Sequence, residues 1–295
     1  MDHIRQAIER AKVGRPDPGQ SHTQALVEPP VLQQRGVRSD LIAPSPPRQY
    51  ANREVVLNAI HLESKRIIAH DIADPRSKSF DMLRTQVLQA MEIKSWQTLG
   101  VTSPTAGCGK TVISTNLALS IARQQTRPVL LVDLDLQKPQ VSNYLGLNGQ
   151  QGILSVLEGK SDLQGAIVEA SAKNLKISVL PCEASTLNSS EWMASRQMEA
   201  ILQQIKRDFN DCIVIFDLPP VLTGDDVITI LPQLDCMLFV AAIGTTTISD
   251  IKESNKHLEL ASVVRFVLNK SSEMPATYYS RYAETAHKKS KKKRA

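Results

Sequence analysis

Residues 98–111 read TLGVTSPTAGCGKT, and this stretch decides the fold. An apolar run at 98–102 predicts a strand, and a helical pattern begins directly after the loop at 103–111. The loop nearly matches the phosphate-binding motif G-x-x-x-x-G-K-[ST], with Pro104 in place of its first glycine. Pro104 removes an N–H at the entrance of the loop and not among the N–H groups that would surround the phosphate. We therefore expect the loop to bind phosphate despite this substitution. An ordinary glycine-rich turn is the alternative, which the flanking strand and helix disfavour.

The residue types inside the loop suit a nucleotide. Gly107 and Gly109 can take positive φ, which lets successive N–H groups point inward, and the helix N-terminus adds partial positive charge. In such loops the lysine, here Lys110, reaches the β- and γ-phosphates, and the hydroxyl of Thr111 binds Mg²⁺. The sequence therefore predicts ATP and Mg²⁺ as cofactors, with the nucleotide held by Ala106, Gly107, Cys108, Gly109, Lys110, Thr111 and Val112.

Outward from this loop, apolar runs alternate with helical patterns. Continuous apolar runs are typical of parallel strands buried on both faces, and β–α alternation predicts a doubly wound α/β fold with a mostly parallel sheet flanked by helices. The predicted strands are 98–102, 129–133, 176–180, 212–217, 237–241 and 265–269. The predicted helices are 110–124, 195–208 and 248–260.

Acidic residues end two of these strands. Asp133 and Asp135 lie two apart in VLLVDLDLQKP (129–139), so an extended chain would point both carboxylates the same way. Asp217 follows four apolar residues in CIVIFDLPP (212–220), the arrangement of a metal-assisting acid beside a phosphate loop. Carboxylates there suit Mg²⁺ binding and activation of an attacking hydroxyl. Solvated turns or a simple strand-ending acid are the alternatives.

The 295 residues are 42% hydrophobic, which is enough for one large α/β domain with appendages. The pattern predicts a short helix, a proline-rich linker, a phosphate-loop domain and a basic tail with tyrosines, at 1–13, 14–53, 54–272 and 273–295. No apolar run is long enough for a transmembrane helix, and no signal peptide is expected. The four cysteines are scattered, which favours reduced thiols in a cytosol.

The positive charge is concentrated at one end of the chain. The formal net charge is +5, and the final stretch HKKSKKKRA carries six Lys/Arg and no acid. The rest of the chain is therefore nearly neutral, which disfavours a nucleic-acid-binding face. A polybasic tail can instead bind an anionic membrane surface, although a solvated tail is the alternative.

The three motifs, in this order, resemble those of the bacterial tyrosine kinase family, which acts in capsule and exopolysaccharide synthesis. The resemblance covers roughly residues 66–272 and includes the stretches at 152–160, 187–199, 219–226 and 266–270. Family loops commonly have a non-glycine first position, so Pro104 fits the pattern. The resemblance implies a P-loop fold related to ParA/MinD ATPases and an ATP-dependent tyrosine autokinase that regulates polysaccharide synthesis and export.

Residue roles follow from the same resemblance. The catalytic set is Lys110, Asp133 and Asp135, and the metal set is Thr111, Asp133 and Asp217. Asn269 is similar to a residue near the adenine. Family members end in tyrosines phosphorylated in trans, a role that falls here to Tyr278, Tyr279 and Tyr282, unless these form only an amphipathic stripe or a plain tail. The implied partners are further copies of the chain in a homo-oligomer, a membrane-spanning co-polymerase adaptor and a tyrosine phosphatase, at the cytoplasmic face of the plasma membrane.

The chain also departs from the family pattern. Gln137 replaces an arginine, so one cation near the phosphates is missing. Cys108, Ala106 and Leu218 replace a glutamate, a proline and a small hydroxyl residue. The stretch SKSFDMLRT (77–85) resembles a segment that helps subunits of the family meet in a ring, but the family's glutamate and first arginine become Lys78 and Asp81, and only Arg84 remains.

These departures leave two alternatives to an efficient kinase. The first is an ATP-binding regulator of the same machinery with weak or no phosphotransfer. The second is a positioning ATPase of the ParA/MinD type. The second is disfavoured because those proteins usually carry a lysine at the position of Thr105.

Overall fold

The computed structural model describes residues 53–259 and 261–271. The predicted helix at 1–13, the linker up to residue 52, and the tail with Tyr278, Tyr279 and Tyr282 lie outside the described residues. The first strand begins at Arg53, one residue before the predicted start of the domain.

Within the described residues, eight strands form one sheet in the order β1-β4-β5-β3-β6-β2-β7-β8. β4 pairs antiparallel with β5 and every other pair is parallel, so six strands share one direction and the edge pair β1 and β4 runs the other way. The predicted mostly parallel sheet is confirmed. The strands are β1 Arg53–Val56, β2 Thr98–Thr102, β3 Val129–Asp133, β4 Val168–Ala172, β5 Leu175–Leu180, β6 Ile213–Asp217, β7 Cys236–Ala242 and β8 Val263–Asn269.

Helices cover both faces of the sheet. In the described residues they are α1 Ala59–Ser64, α2 Lys78–Ile93, α3 Lys110–Arg123, α4 Val141–Leu145, α5 Ile153–Leu157, α6 Leu163–Ala166, α7 Ser189–Met193, α8 Arg196–Asp208, α9 Asp226–Ile230 and α10 Ile248–His257, with 3₁₀ turns at Pro75–Ser77 and Leu231–Gln233. Along β3, Leu131 packs into the cluster under α3, and its neighbours Leu130 and Val132 pack into the cluster under α8. Burial on both faces explains the continuous apolar runs.

The strand order brings the three motifs to one edge of the sheet. β3, β6 and β2 are neighbours, and Asp217 is in register with Asp133 on one side and with Val101 on the other. The loop 103–109 leaves β2 at that edge and leads into α3. Because ligands of such sheets bind beyond the carboxyl ends of the strands, this edge is the place to look for a site.

Candidate active site

The backbone of the loop is held in a conformation that favours glycine. Gly107 and Gly109 have φ of 80° and 92°, and Gly109 is the N-cap of α3. The Nδ2 of Asn269, at the end of β8, donates to the carbonyl oxygen of Cys108 at 2.8 Å. A Cβ at Gly109 would collide with the Asn269 side chain. Asn269 thus fastens the loop to the end of β8, and its place near an adenine stays a prediction.

Lys110 lies between two carboxylates. Its Nζ is 2.7 Å from Oδ2 of Asp135 and 3.6 Å from Oδ2 of Asp217, and the side chain is almost fully buried. Burial disfavours the charged ammonium, but Asp217 and Asp135 outweigh this effect and raise the pKa of Lys110 to about 12. The lysine is therefore charged at neutral pH, and its shortest contact with a carboxylate is that with Asp135.

Two hydroxyl groups on the first turns of α3 donate hydrogen bonds to the carboxylate of Asp217. Thr111 Oγ1 donates to Oδ2 of Asp217 at 2.6 Å, and Ser114 Oγ donates to Oδ1 at 3.1 Å. Burial raises the pKa of Asp217, while Lys110 and the Thr111 hydroxyl act in the opposite direction. A hydroxyl and a carboxylate this close form the kind of oxygen-only ligand set that Mg²⁺ prefers. Ser114 was not predicted, because its role depends on the spatial adjacency of α3 and β6.

Asp133 and Asp135 have different surroundings. The strand ends at Asp133, so the extended-chain argument for two carboxylates on one side does not apply. Asp133 is fully buried, and its oxygens accept from the backbone N–H groups of Asp135, Gln140 and Val141 at 3.2, 3.0 and 2.9 Å. Burial, followed by the proximity of Asp217, raises the pKa of Asp133 to about 8. Asp133 therefore holds the loop 134–140 in place, and Asp135 faces the cavity.

A cavity of about 300 Å³ opens at this edge. Its walls are Ala106, Gly107, Gly109, Lys110, Thr111, Asp135, Gln137, Lys138, Gln140, Tyr144, Pro219, Pro220 and Thr223. Five of the seven residues predicted from the loop are among them. Lys138, Gln140, Tyr144 and Thr223 were not predicted, and only Lys138, beside the second acidic motif, could have been suspected from sequence.

Cys108 and Val112 are the two loop residues that do not line the cavity. The Cys108 side chain is fully buried, with Sγ 3.4 Å from the Oγ1 of Thr246, and Val112 packs against the core under α3. Like the other cysteines, Cys108 is a free thiol. A side-chain contact of either residue with a nucleotide in this cavity is therefore not supported, and only their backbone groups remain available.

Gln137 is the neutral residue that, by the resemblance, replaces an arginine, and its side chain forms hydrogen bonds within the chain. Its Nε2 donates to Ser189 Oγ at 2.9 Å and to Oδ2 of Asp226 at 3.2 Å. Asp226 is itself buried and also accepts from Ser190 Oγ at 2.8 Å. The amide therefore ties the cavity wall to α7 and α9.

Asp81 in α2, which departs from the family pattern, also forms ion pairs and hydrogen bonds within the chain. Arg84 Nη1 donates to Oδ1 of Asp81 at 3.0 Å and to the carbonyl of Ser120 at 2.9 Å. Arg123 also pairs with Asp81, and Ser120 Oγ donates to it at 2.8 Å. These contacts join α2 to α3 inside one chain.

Comparisons with known proteins identify the family of this chain. A family model described as an AAA domain matches residues 97–259. The tyrosine-protein kinase YwqD of Bacillus subtilis is 31% identical over 173 residues, which are 58% of this chain and 70% of that protein. The chain belongs to the bacterial tyrosine kinase family. The predicted family is thus confirmed.

Other members of the family are longer. The tyrosine-protein kinase ptk of Acinetobacter johnsonii is 30% identical over 203 residues, which are 68% of this chain and 27% of that protein. The chain therefore spans about a quarter of the length of such relatives. The crystal structure of the chimerical protein CapA2B2 aligns with a TM-score of 0.64 and 25% identity, and the match covers 76% of this chain and 95% of that one.

The longest helix in the part of the chain that the structure describes is α2, which has 16 residues. None of the helices in that part combines the length and the apolar character needed to cross a bilayer.

Proposed function

We propose that this chain is an ATP-dependent protein tyrosine kinase that phosphorylates itself and regulates the synthesis and export of exopolysaccharide or capsule. The observation that carries the proposal is that Lys110, Thr111 and Asp135 line one cavity, where Lys110 lies 2.7 Å from Asp135 and Thr111 lies 2.6 Å from the buried Asp217. The names of the relatives support tyrosine as the acceptor.

The loop and the start of α3 would hold the phosphates of ATP. Gly107 and Gly109 line the cavity, where their backbone N–H groups would contact phosphate, and the helix N-terminus favours negative charge. Lys110 would leave Asp135 for the phosphates. Thr111 and Asp217 would bind Mg²⁺, with the buried Asp133 behind them. When bound there, Mg²⁺ would neutralise charge on the transferring phosphoryl group.

Asp135 would take the proton of the acceptor. A tyrosine hydroxyl has a pKa of about 10, so it is a poor nucleophile at neutral pH and needs positioning beside a carboxylate. The phenolic oxygen forms a bond to the γ-phosphorus, the bond from that phosphorus to the bridging oxygen breaks, and ADP leaves. The proposed acceptors are Tyr278, Tyr279 and Tyr282 of a neighbouring copy.

The proposed setting is the inner face of the plasma membrane. There the chain would act with a membrane-spanning co-polymerase adaptor, with further copies of itself in a homo-oligomer, and with a tyrosine phosphatase that reverses the reaction. The basic tail adds attraction to anionic lipid.

The test is incubation of the purified full chain with labelled ATP and Mg²⁺, followed by mapping of phosphotyrosine. Asp135→Asn should keep ATP binding and lower phosphotransfer about 100-fold or more, because it removes the proton acceptor. Glu92→Gln, an exposed acid at the far end of α2, is the matched control and should be unchanged.

A regulator without efficient phosphotransfer is the second candidate, favoured by one observation. Gln137 brings no charge to the cavity and its amide is already bonded to Ser189 and Asp226. ATP binding without any phosphotyrosine, in the presence of the adaptor, would select this candidate.

A further inference from the structure

Hydrogen bonds and a proline hold the backbone of residues 137–139 in place. Lys138 N–H donates to Oδ1 of Asp135 at 3.0 Å. The Gln137 side chain is bonded to α7 and α9, and Pro139 restricts the backbone of the residue before it. The Lys138 side chain, in contrast, is exposed and lines the cavity.

The charged side chains of the cavity wall differ in whether an acidic or basic group of the protein already pairs with them. The charged residues in the lining are Lys110, Asp135 and Lys138. Lys110 is 2.7 Å from Asp135 and 3.6 Å from Asp217, so its charge is offset within the protein. Lys138 has no ion-pair partner within residues 53–259 and 261–271. Other exposed lysines, such as Lys160 and Lys176, do pair with acids.

Apart from Lys138, the charged side chains of this wall offer a nucleotide polyphosphate no net positive charge, so only the proposed Mg²⁺ and the N-terminus of α3 would attract it. The charges of Lys110 and Asp135 cancel formally, and the buried carboxylates of Asp217 and Asp133 also interact electrostatically with Lys110. A lysine ammonium offers three donors on a flexible stem and acts as a compact point charge toward phosphate. Its fixed backbone keeps that charge at the cavity while the stem adapts.

We propose that Lys138 binds a phosphate oxygen of the nucleotide and supplies the positive charge that the neutral Gln137 does not. This inference rests on the proposed function, because it concerns the same nucleotide. It makes Lys138 a determinant of selectivity for polyphosphates over monophosphates.

The experiment measures the affinity of the full chain for ATP, ADP and AMP with Mg²⁺ by calorimetry at two salt concentrations. Lys138→Met should weaken ATP binding about tenfold, the loss expected when one exposed charge-assisted hydrogen bond is removed, and should weaken AMP binding less. The salt dependence of ATP binding should become shallower. Lys138→Arg should restore both the affinity and the salt dependence.

Lys94→Met is the matched control. Lys94 is exposed and lies just before β2, at the amino ends of the parallel strands and away from the cavity. Its ATP affinity should equal that of the wild type. The thermal midpoint of Lys138→Met should also be unchanged, because the side chain is exposed and makes no ion pair within the described residues.

The outcomes separate the two proposals. If the wild type binds no ATP, the proposed function fails. If the wild type binds ATP and Lys138→Met binds it equally well, the inference about Lys138 is wrong and the proposed function stands. If Lys138→Met keeps ATP affinity but loses phosphorylation of protein tyrosine, the lysine contacts the acceptor, and the inference is overturned.

Discussion

At the scale of single residues, Lys110 balances the charge of two buried carboxylates. Replacing it by methionine removes the expected phosphate contact and also leaves Asp135 and Asp217 without their cation. Removing one partner of a buried pair costs about 3–5 kcal/mol. Lys110→Met should therefore lose ATP binding and unfold at a lower urea concentration than the wild type.

The double variant Lys110→Met/Asp135→Asn separates these two effects. It removes the charge of Asp135, one of the two carboxylates that lose their cation in Lys110→Met. Part of the lost stability should therefore return while ATP binding stays absent. Urea titration and calorimetry on the same samples give both values. Recovery of ATP binding in the double variant would show that Lys110 only neutralises Asp135 and does not bind phosphate.

The raised pKa of Asp133 should make the stability of the folded chain depend on pH. Burial raises its pKa from 3.8 to about 8 in the folded chain, so between these values the folded state keeps a proton that the unfolded state has released. Stability from this group is then full below about pH 4 and decreases as the pH rises toward 8. The urea midpoint of the wild type should decrease over that interval.

Asp133→Asn, which cannot ionise, should show a flatter profile over the same interval. The comparison uses the slope and not the absolute midpoint, because the amide also loses one of the acceptors for backbone N–H groups. Equal slopes for the two proteins would mean that the three N–H donors keep Asp133 ionised throughout.

The sequence predicted part of this site for a physical reason. The meeting of Lys110, Thr111 and Asp217 follows from two motifs at the ends of strands that proved to be adjacent. The different surroundings of Asp133 and Asp135 depend on the residue at which β3 ends, which the apolar pattern does not reveal. The place of Tyr144 in the wall depends on the packing of α4, for which no local signal exists.

At the scale of elements, α2 and α3 are joined by the Asp81 cluster. Arg84 and Arg123 are mostly buried, with side-chain exposures of 12% and 14%, and both pair with Asp81. Asp81→Ala would leave two arginines side by side without their carboxylate. We expect a loss of about 2 kcal/mol in unfolding free energy, since hydrogen bonds to charged groups contribute about 1.5–3 kcal/mol.

Glu92→Ala on the same helix is the control for the Asp81 variant. Glu92 is exposed, and its removal should change the unfolding free energy by less than about 0.5 kcal/mol. If Asp81→Ala is as mild as Glu92→Ala, the cluster does not fasten α2 to α3, and Arg84 is available for a contact with another subunit.

The two strands that the sequence did not predict, β1 and β4, were missed for the same reason. All six predicted strands are present, and their bounds shift by two residues at most. β1 reads REVV and is mostly exposed, and β4 reads VEASA, with small or polar residues after its valine. Neither has an apolar run, and they become strands because each pairs at the edge of a sheet that the other strands build.

At the scale of the whole molecule, the tyrosines and the basic tail form one switch in the proposed function. Tyr278, Tyr279 and Tyr282 precede six Lys/Arg at 288–294 and follow β8 by about ten residues, a length that suits reaching a neighbouring subunit. Each phosphate adds about −1.5 to −2 charges, so three nearly cancel the six positive charges. Phosphorylation should therefore weaken attraction to anionic lipid.

Co-sedimentation with vesicles that contain an anionic lipid tests this switch in the full chain. Unphosphorylated protein should bind, since each basic residue near the surface adds about 1 kcal/mol, and protein preincubated with ATP and Mg²⁺ should bind less. With all three tyrosines changed to phenylalanine, the ATP-dependent loss should disappear. Deletion of residues 288–295 should lower vesicle binding whether or not ATP was added. Equal binding before and after that deletion removes the tail from the mechanism, and undiminished phosphotyrosine in the phenylalanine variant places the acceptors elsewhere.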